Sequence, residues 1–423
     1  MLSLNAMGHA RYSGFSGEAS DMKVDNSVPF GVVALMCAHA AFLTPYIVLV
    51  HGERTNLFTS LLTLATFFVV VFISRRTFSD FGGWLWSSWE PCAWLTLGGL
   101  VVLSGFLSPE RTASLYRSFA FFAPAFAGYW CGRVLLGDAF WQRYGATLFT
   151  ALFAVLALGQ IVYGAGLAFI AVHHHAMANM LIVLAVGPLT FFIRAKTKGK
   201  RIIWLGMLSL GFWAAYLVGS RFTILLPFVL LPLFACFGCI RKRYTCVATV
   251  IFLGVAVFFF FQNPSKMLHL KNYESIFYRV EGVPTAAHIA KQHPFFGIGL
   301  RASRAPYLED YEMHSDLTDR DTYMRVVRNN VTSDNMLSTM VVGLGLLPTL
   351  LYVAMLAVYG RRVVSSFEPA QCGGLDNRMI GLALFSCLIH FTIQDGLLYP
   401  QLSWYFHLLL GVASAKEGLH ADI

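Results

Sequence analysis

Apolar runs of membrane-crossing length recur along the chain, separated by short polar stretches. A helix needs about 20 predominantly apolar residues to cross the hydrocarbon core. The pattern predicts spans at about 29–50, 56–73, 92–107, 113–134, 145–170, 176–193, 202–219, 222–240, 244–261, 335–359, 379–394 and 397–414. The expectation is therefore an all-α polytopic membrane protein of about twelve spans. Residues 1–28 form a polar N-terminal tail, 29–261 the first nine spans, 335–415 the last three, and 416–423 a short tail. Residues 1–28 lack the apolar core and small-residue cleavage site of a signal peptide, so the tail reads as retained. Between the two blocks, 262–334 turns polar and irregular but keeps aromatic residues such as Tyr273, Phe277, Phe295, Phe296, Tyr307 and Tyr311. That content argues for a structured loop with short helices capping the bundle, and long loops of this kind are usually functional.

Charge orients the spans. Cytoplasmic loops carry an excess of Lys and Arg. Arg75 and Arg76, Arg133 and Arg143, Arg194 to Arg201, Arg241 to Arg243, and Arg361, Arg362 and Arg378 all fall in alternate short loops. The intervening loops hold little: Glu53 with Arg54, Glu110 with Arg111, His173 to His175, Arg221, and Asp395. The alternation puts both termini in the cytoplasm and 262–334 in a periplasm-like space.

Composition sharpens the class. Only 13% of the 423 residues are charged and 57% are hydrophobic, against about 25% charged in soluble domains. That excludes a disordered chain, and a net charge of +9 clustered at span ends reads as membrane orientation, with no nucleic-acid partner. The eight cysteines lie mostly in apolar runs and read as small buried hydrophobes. Cys236 and Cys239 form a CxxC with no His/Cys set following, so no metal is expected there.

The polar residues of the outer face are the candidates for chemistry, each with an ordinary alternative. Ser220–Arg221 lies in the turn between two spans; the arginine either snorkels to headgroups or binds phosphate oxygens in bidentate fashion. Arg279, in the long loop, either pairs with Glu281 or Glu274 or faces a substrate. His293-Pro294-Phe295-Phe296-Gly297-Ile298-Gly299 is a tight turn and not a dinucleotide fingerprint, because no strand precedes it. Asp334–Asn335 opens a span, where Asp or Asn is either an ordinary helix cap or, for the carboxylate, a general base. His175, with its two neighbouring histidines, reads as a cap, a polar gate or a headgroup contact, with no shared metal expected; Asp395 ends a span on the same side. Arg117 sits a turn or two inside its span, where an ionisable group is a functional candidate by default. His39, Gln160 and His390 read as satisfied interior polar groups.

In this order the features resemble the O-antigen polymerase and O-antigen ligase superfamily. An outer Ser-Arg opens a span; a large outer loop carries Arg279 and the His-Pro-x-x-Gly-Ile-Gly turn; Asp334–Asn335 starts a span continuing Gly343-Leu344-Gly345-Leu346-Leu347. The similarity lies mostly in residues 200 to 360. It implies a GT-C-type bundle in the bacterial inner membrane and a metal-independent, inverting glycosyl transfer at the periplasmic face, with no cofactor. The implied donor and acceptor are undecaprenyl-pyrophosphate-linked glycans, and a chain-length regulator and a flippase are the implied protein partners. Arg221 and Arg279 match the family arginines that hold the pyrophosphate. Asp334–Asn335 matches its His-Asn pair, with Asp in place of His, and Pro348 stands where the family has Gly, Thr or Tyr. His314, in the same loop, is the alternative base. His175 to Asn179 is loosely similar to the segment preceding the sixth or seventh helix.

The chemistry is coherent on residue types alone. A lipid pyrophosphate is both handle and leaving group, and guanidinium can stabilise its developing charge. Asp319-Arg320-Asp321 has metal-site spacing but lies in a mixed-charge stretch where nucleotide sugars are not available. The departure from His-Asn and the Tyr- and acid-rich stretch 307–323 favour a repeat-unit polymerase over a ligase acting on lipid A-core. A lipid-linked glycan flippase is the rival from another class; its ionisable or broken-helix features would sit near the midplane.

Overall fold

The computed structural model describes residues 65, 68, 89–135, 137–164, 174–218, 273–300, 302–312, 335–365, 374–392 and 396–415. Among these, the regular elements are all helical. In chain order they are α1 (Trp89–Leu107), α2 (Arg111–Trp130), a π-helical turn (Cys131–Leu135), α3 (Gly137–Gly164), α4 (His174–Leu184), α5 (Val186–Arg194) and α6 (Lys198–Val218). There follow α7 (Tyr273–Gln292), α8 (Met336–Leu344), α9 (Leu346–Ser365), α10 (Asn377–Phe391) and α11 (Pro400–Ala415). Short 3₁₀ turns occupy Ala305–Tyr307 and Gly396–Leu398. The expected spans 29–50, 222–240 and 244–261 lie outside the described residues, as does 56–73 apart from residues 65 and 68.

Among the described residues, three helices are long and apolar enough to cross a bilayer: Trp89–Leu107, Phe140–Val162 and Leu346–Val364. They agree with spans expected from the pattern, and the protein is an α-helical membrane protein. Its outward faces carry the apolar side chains that lipid requires. Ile202, Ile203, Leu107 and Leu350 are each more than half exposed, a surface water would not tolerate over such an area. At the centre lies α11, buried on every side from Gln401 to Ser414. A helix apolar all round belongs in a core. It packs along α2 and also against α4, α9 and α10.

Helix direction sorts the polar residues to two ends. α1 and α2 form an antiparallel hairpin closed by 108–110, with Gly98 against Phe122 and Gly105 against Leu115. At the open end of that hairpin, Glu90 is buried beside three partners. The Tyr129 hydroxyl donates to it at 2.8 Å, Arg133 lies 3.6 Å away, and Arg362 from the far end of α9 pairs with it closely. Arg362 also stacks over the Trp89 and Tyr359 rings. Near this end lie Arg143, Arg194, Lys198 and Arg378, the last paired with Asp376 at 2.7 Å. Basic residues that the sequence places in alternate loops thus gather at one end of the bundle.

Two expected spans prove to be broken. The span expected at 335–359 is two helices, α8 and α9, because Gly345 takes φ 85° and ψ 177°. The span expected at 176–193 is divided less sharply into α4 and α5: Ala185 between them keeps helical φ −60° and ψ −16°, and Pro188 lies on the first turn of α5. Proline has no N–H to give the preceding turn, so the ladder is interrupted there. The loop expected to hold short helices instead contains α7, a 20-residue helix with Pro284 inside it.

Candidate functional site

The opposite end of the bundle is built around the break at Gly345. Breaking a helix at this level strips backbone groups of their partners, and each unpaired buried group is costly. The turn after α7 supplies the replacements. Ile298 N donates to Val342 O and Gly299 N to Gly343 O, both at 2.9 Å. Leu346 N donates back to Pro294 O at 2.8 Å and Leu347 N to Phe295 O at 3.4 Å. The two segments thus form a seam of backbone bonds in both directions.

Serines from the α1–α2 hairpin fasten the seam to the bundle. Ser104 Oγ lies 2.6 Å from Phe296 O and 2.9 Å from Gly343 O, so one hydroxyl reaches both strips. Ser108 Oγ donates to Ile298 O at 2.7 Å and takes a bond from Ser114 Oγ at 2.8 Å. A Cβ on Gly345 would fall on the Phe295 carbonyl, and one on Gly297 (φ 62°) on the Val342 carbonyl. Beside the seam a small apolar core of Ala286, Ile289, Ile298, Ala302, Leu308, Tyr311 and Val342 roots α7 and the loop together.

Of the expected site residues, Asn335 and His293 belong to this assembly. Asn335 caps α8: its Oδ1 accepts from Ser338 N at 3.0 Å, and its Nδ2 donates to Thr392 O at 2.8 Å. The capping alternative therefore holds for Asn335, which in addition ties α8 to the end of α10. His293 closes α7, its N–H donating to Ile289 O at 2.9 Å. Its ring stands edge-on to Tyr307 with centroids 4.9 Å apart. Glu110 Oε1 accepts from Ser303 N at 3.0 Å. Partial burial and the nearby Glu110 carboxylate raise the Tyr307 phenol above its ordinary value, so it stays neutral at physiological pH.

The remaining candidates are distributed as follows. Arg117 lies half-buried on the second turn of α2, at the seam end. Arg279 lies on the second turn of α7 and His175 on the first turn of α4; for both, the helix is described and the side chain is not. Ser220, Arg221, His314, Asp334 and Asp395 lie outside the described residues, as does the Asp319–Asp321 pair. Among the described residues, no group of three or more His, Cys, Asp or Glu could hold a metal ion.

Sequence reasoning overlooked the residues that do the fastening: Ser104, Ser108, Ser114 and Glu110. The signal was present as hydroxyls recurring within an otherwise apolar hairpin. One other expectation is overturned. Gln160 reads as a satisfied interior group, yet among the described residues neither end of its buried amide has a hydrogen-bond partner.

Fold and site together define a helical membrane protein with a structured loop sewn onto a helix break at one end of its bundle. Neither a family model nor a curated protein sequence matches the chain.

Proposed function

We propose that the protein polymerises undecaprenyl-pyrophosphate-linked oligosaccharide repeat units at the periplasmic face of the bacterial inner membrane. The seam carries this reading. The His-Pro-x-x-Gly-Ile-Gly turn and the Gly-Leu-Gly break are two of the motifs whose combination carries the resemblance, and they bond to each other directly. Asn335, from the same motif set, caps the helix leading into the break.

In this reading the seam end faces the periplasm and the Glu90 end, with its cluster of arginines and lysines, the cytoplasm, as the positive-inside rule requires. Both termini are then cytoplasmic, and the bundle has about twelve spans. Arg221 and Arg279 grip the diphosphate, with Ser220, Arg117, His293, His175 and Asp395 around the same rim. Asp334, or His314 in its place, removes the proton of the acceptor hydroxyl as it attacks the anomeric carbon. The C1–O bond to the pyrophosphate breaks with inversion, and undecaprenyl pyrophosphate leaves with the electron pair, stabilised by guanidinium. A flippase supplies the substrate, and a chain-length regulator sets the product.

Lipid-linked oligosaccharide analysis of a deletion strain tests the reading. Accumulation of single lipid-linked repeat units is expected. Long chains missing only from lipid A would make the protein a ligase, and an unchanged profile would remove it from the process. A second reading, a lipid-linked glycan flippase, draws on the break between α4 and α5, since interrupted helices are a feature of transporters. Chain extension by purified protein in detergent separates the two, because a flippase has no activity without sidedness.

A further inference from the structure

Two guanidinium groups from different elements meet on one carboxylate at the end of the bundle remote from the seam. Glu90, on the first turn of α1, is buried. Its Oε2 accepts the Tyr129 hydroxyl at 2.8 Å, and its Oε1 pairs with Arg362 on the last turn of α9. Arg133, in the π-helical turn after α2, reaches the same carboxylate less well. Its Nε lies 3.6 Å from Oε2, beyond hydrogen-bond distance. Among the described residues that buried Nε has no hydrogen-bond partner. One carboxylate neutralises one guanidinium, so the second retains a positive charge and unspent donors.

The cluster stands at the level where a bilayer passes from hydrocarbon to headgroup. Trp89 is the first residue of one membrane-crossing length, and Arg362 lies at the end of another, Leu346–Val364. The Arg362 guanidinium lies 5.6 Å from the centre of the Trp89 ring, which is 45% exposed. Tryptophan favours this depth, where one part of its ring meets apolar surroundings and the other meets water. Arg133 and Arg362 are both partly open, with 26% and 21% of their side chains exposed. Val358, one turn back from Arg362 toward the middle of α9, and Val353 are exposed and apolar. A snorkelling arginine reaches headgroups alone; here a buried carboxylate fixes one guanidinium and holds the second beside it.

We propose that Arg133 and Arg362 form a binding site for the phosphate of an anionic phospholipid, with Glu90 positioning both. Guanidinium takes two phosphate oxygens at once, and a phosphodiester supplies acceptors where the cluster has donors left over. Basic pockets between membrane helices bind anionic headgroups in this way. A lipid fits better than free phosphate because the exposed Trp89 ring and Val358 offer its glycerol and acyl chains an apolar surface beside the guanidinium groups. An anionic headgroup fits better than phosphocholine, whose quaternary ammonium already neutralises its own phosphate. The bound lipid ties α1, α2 and α9 together at this end. The site is independent of the polymerase reading and of the side on which this end lies, because binding is measured without turnover.

The test is native mass spectrometry of the full chain in detergent, titrated in turn with phosphatidylglycerol, phosphatidylcholine and inorganic phosphate. Phosphatidylglycerol is expected to bind at least about fivefold tighter than phosphatidylcholine. Arg133→Gln, which breaks no hydrogen bond of Glu90, is expected to abolish that preference. Lys198→Gln, which removes an exposed cation at the start of α6, is expected to leave it intact. Equal affinity for the two lipids, or a preference that survives Arg133→Gln, overturns the site. A preference lost equally in Lys198→Gln overturns it as well, since the attraction is then diffuse. Inorganic phosphate that displaces phosphatidylglycerol makes this a free-anion site and overturns the lipid. If Arg133→Gln fails to fold, fluorescence decides. Acyl-brominated phosphatidylglycerol is expected to quench the wild type more than acyl-brominated phosphatidylcholine does, with the excess lost in Trp89→Phe. An excess that persists in Trp89→Phe places the lipid elsewhere and overturns the proposal.

Discussion

Gly345 holds a backbone conformation, φ 85° and ψ 177°, that is open to glycine almost alone. Its neighbours add a second barrier, since a Cβ would fall on the Phe295 carbonyl. Gly345→Ala should therefore lower stability by about 2–4 kcal/mol, from backbone strain and a displaced seam together. Thermal unfolding in detergent measures it. Ser104→Ala is milder. It removes one hydroxyl shared between Phe296 O and Gly343 O, of which Gly343 O keeps its bond from Gly299 N, and should cost about 1–2 kcal/mol. Ser104→Cys, a weaker donor of similar size, should fall between alanine and wild type; a cysteine variant as damaged as Gly345→Ala would mean that the hydroxyl is not what fastens the loop. Residue chemistry of this kind was partly legible beforehand. The turn at His293 to Gly299 was visible because proline and glycines announce a constrained backbone. Its partner was not, because a hydrogen bond from Ser104 to a residue 192 positions away leaves no local trace.

At the scale of elements, the period of apolar residues located the helices but not their interruptions. α8 and α9 read as one span because Gly345 stands among residues as apolar as a continuous span would have, and α4 and α5 read as one because Pro188 is tolerated on a first turn. Asn335 shows what an interruption requires. Its side chain caps α8 through Oδ1 and reaches Thr392 O through Nδ2. Asn335→Asp keeps the cap and loses the second bond, whereas Asn335→Ala loses both. The alanine variant should lose about 1–2 kcal/mol, and the aspartate variant less. Equal losses would assign the whole effect to the bond with Thr392. The other end of α9 depends on a buried charge. Glu90→Ala would leave Arg362 and Arg133 facing each other without their shared carboxylate. Removing one partner of a buried pair costs about 3–5 kcal/mol, so this variant should be the least stable of the set by thermal unfolding.

Across the whole molecule, the two ends differ in chemistry, and that difference makes sidedness the most consequential property still to measure. One end gathers arginine and lysine around Glu90 and the start of α6; the other gathers hydroxyls, amides, histidine and tyrosine around the seam. In the proposed orientation the first end, rich in arginine and lysine, faces the cytoplasm. A glycan on a lipid pyrophosphate would then meet the second end from outside, where no nucleotide sugar is available and the lipid must bring its own leaving group. In a cysteine-replaced background, exposed Asp310, beside the seam, and exposed Lys198, at the start of α6, provide the two reporters. Asp310→Cys should react with an impermeant maleimide in intact spheroplasts, and Lys198→Cys only after permeabilisation. Arg279→Ala, on the helix that leads into the seam, should abolish chain extension while the protein still accumulates and both reporters keep their sides. Activity should survive EDTA, since guanidinium replaces a divalent ion in the reaction as written. If the reporters are reversed, the seam faces the cytoplasm, the lipid-linked glycan never meets it, and the proposed reaction fails whatever the arginine variant does. If the reporters hold but the arginine variant extends chains normally, the loop remains the outer cap of the bundle and its guanidinium has no part in binding the diphosphate.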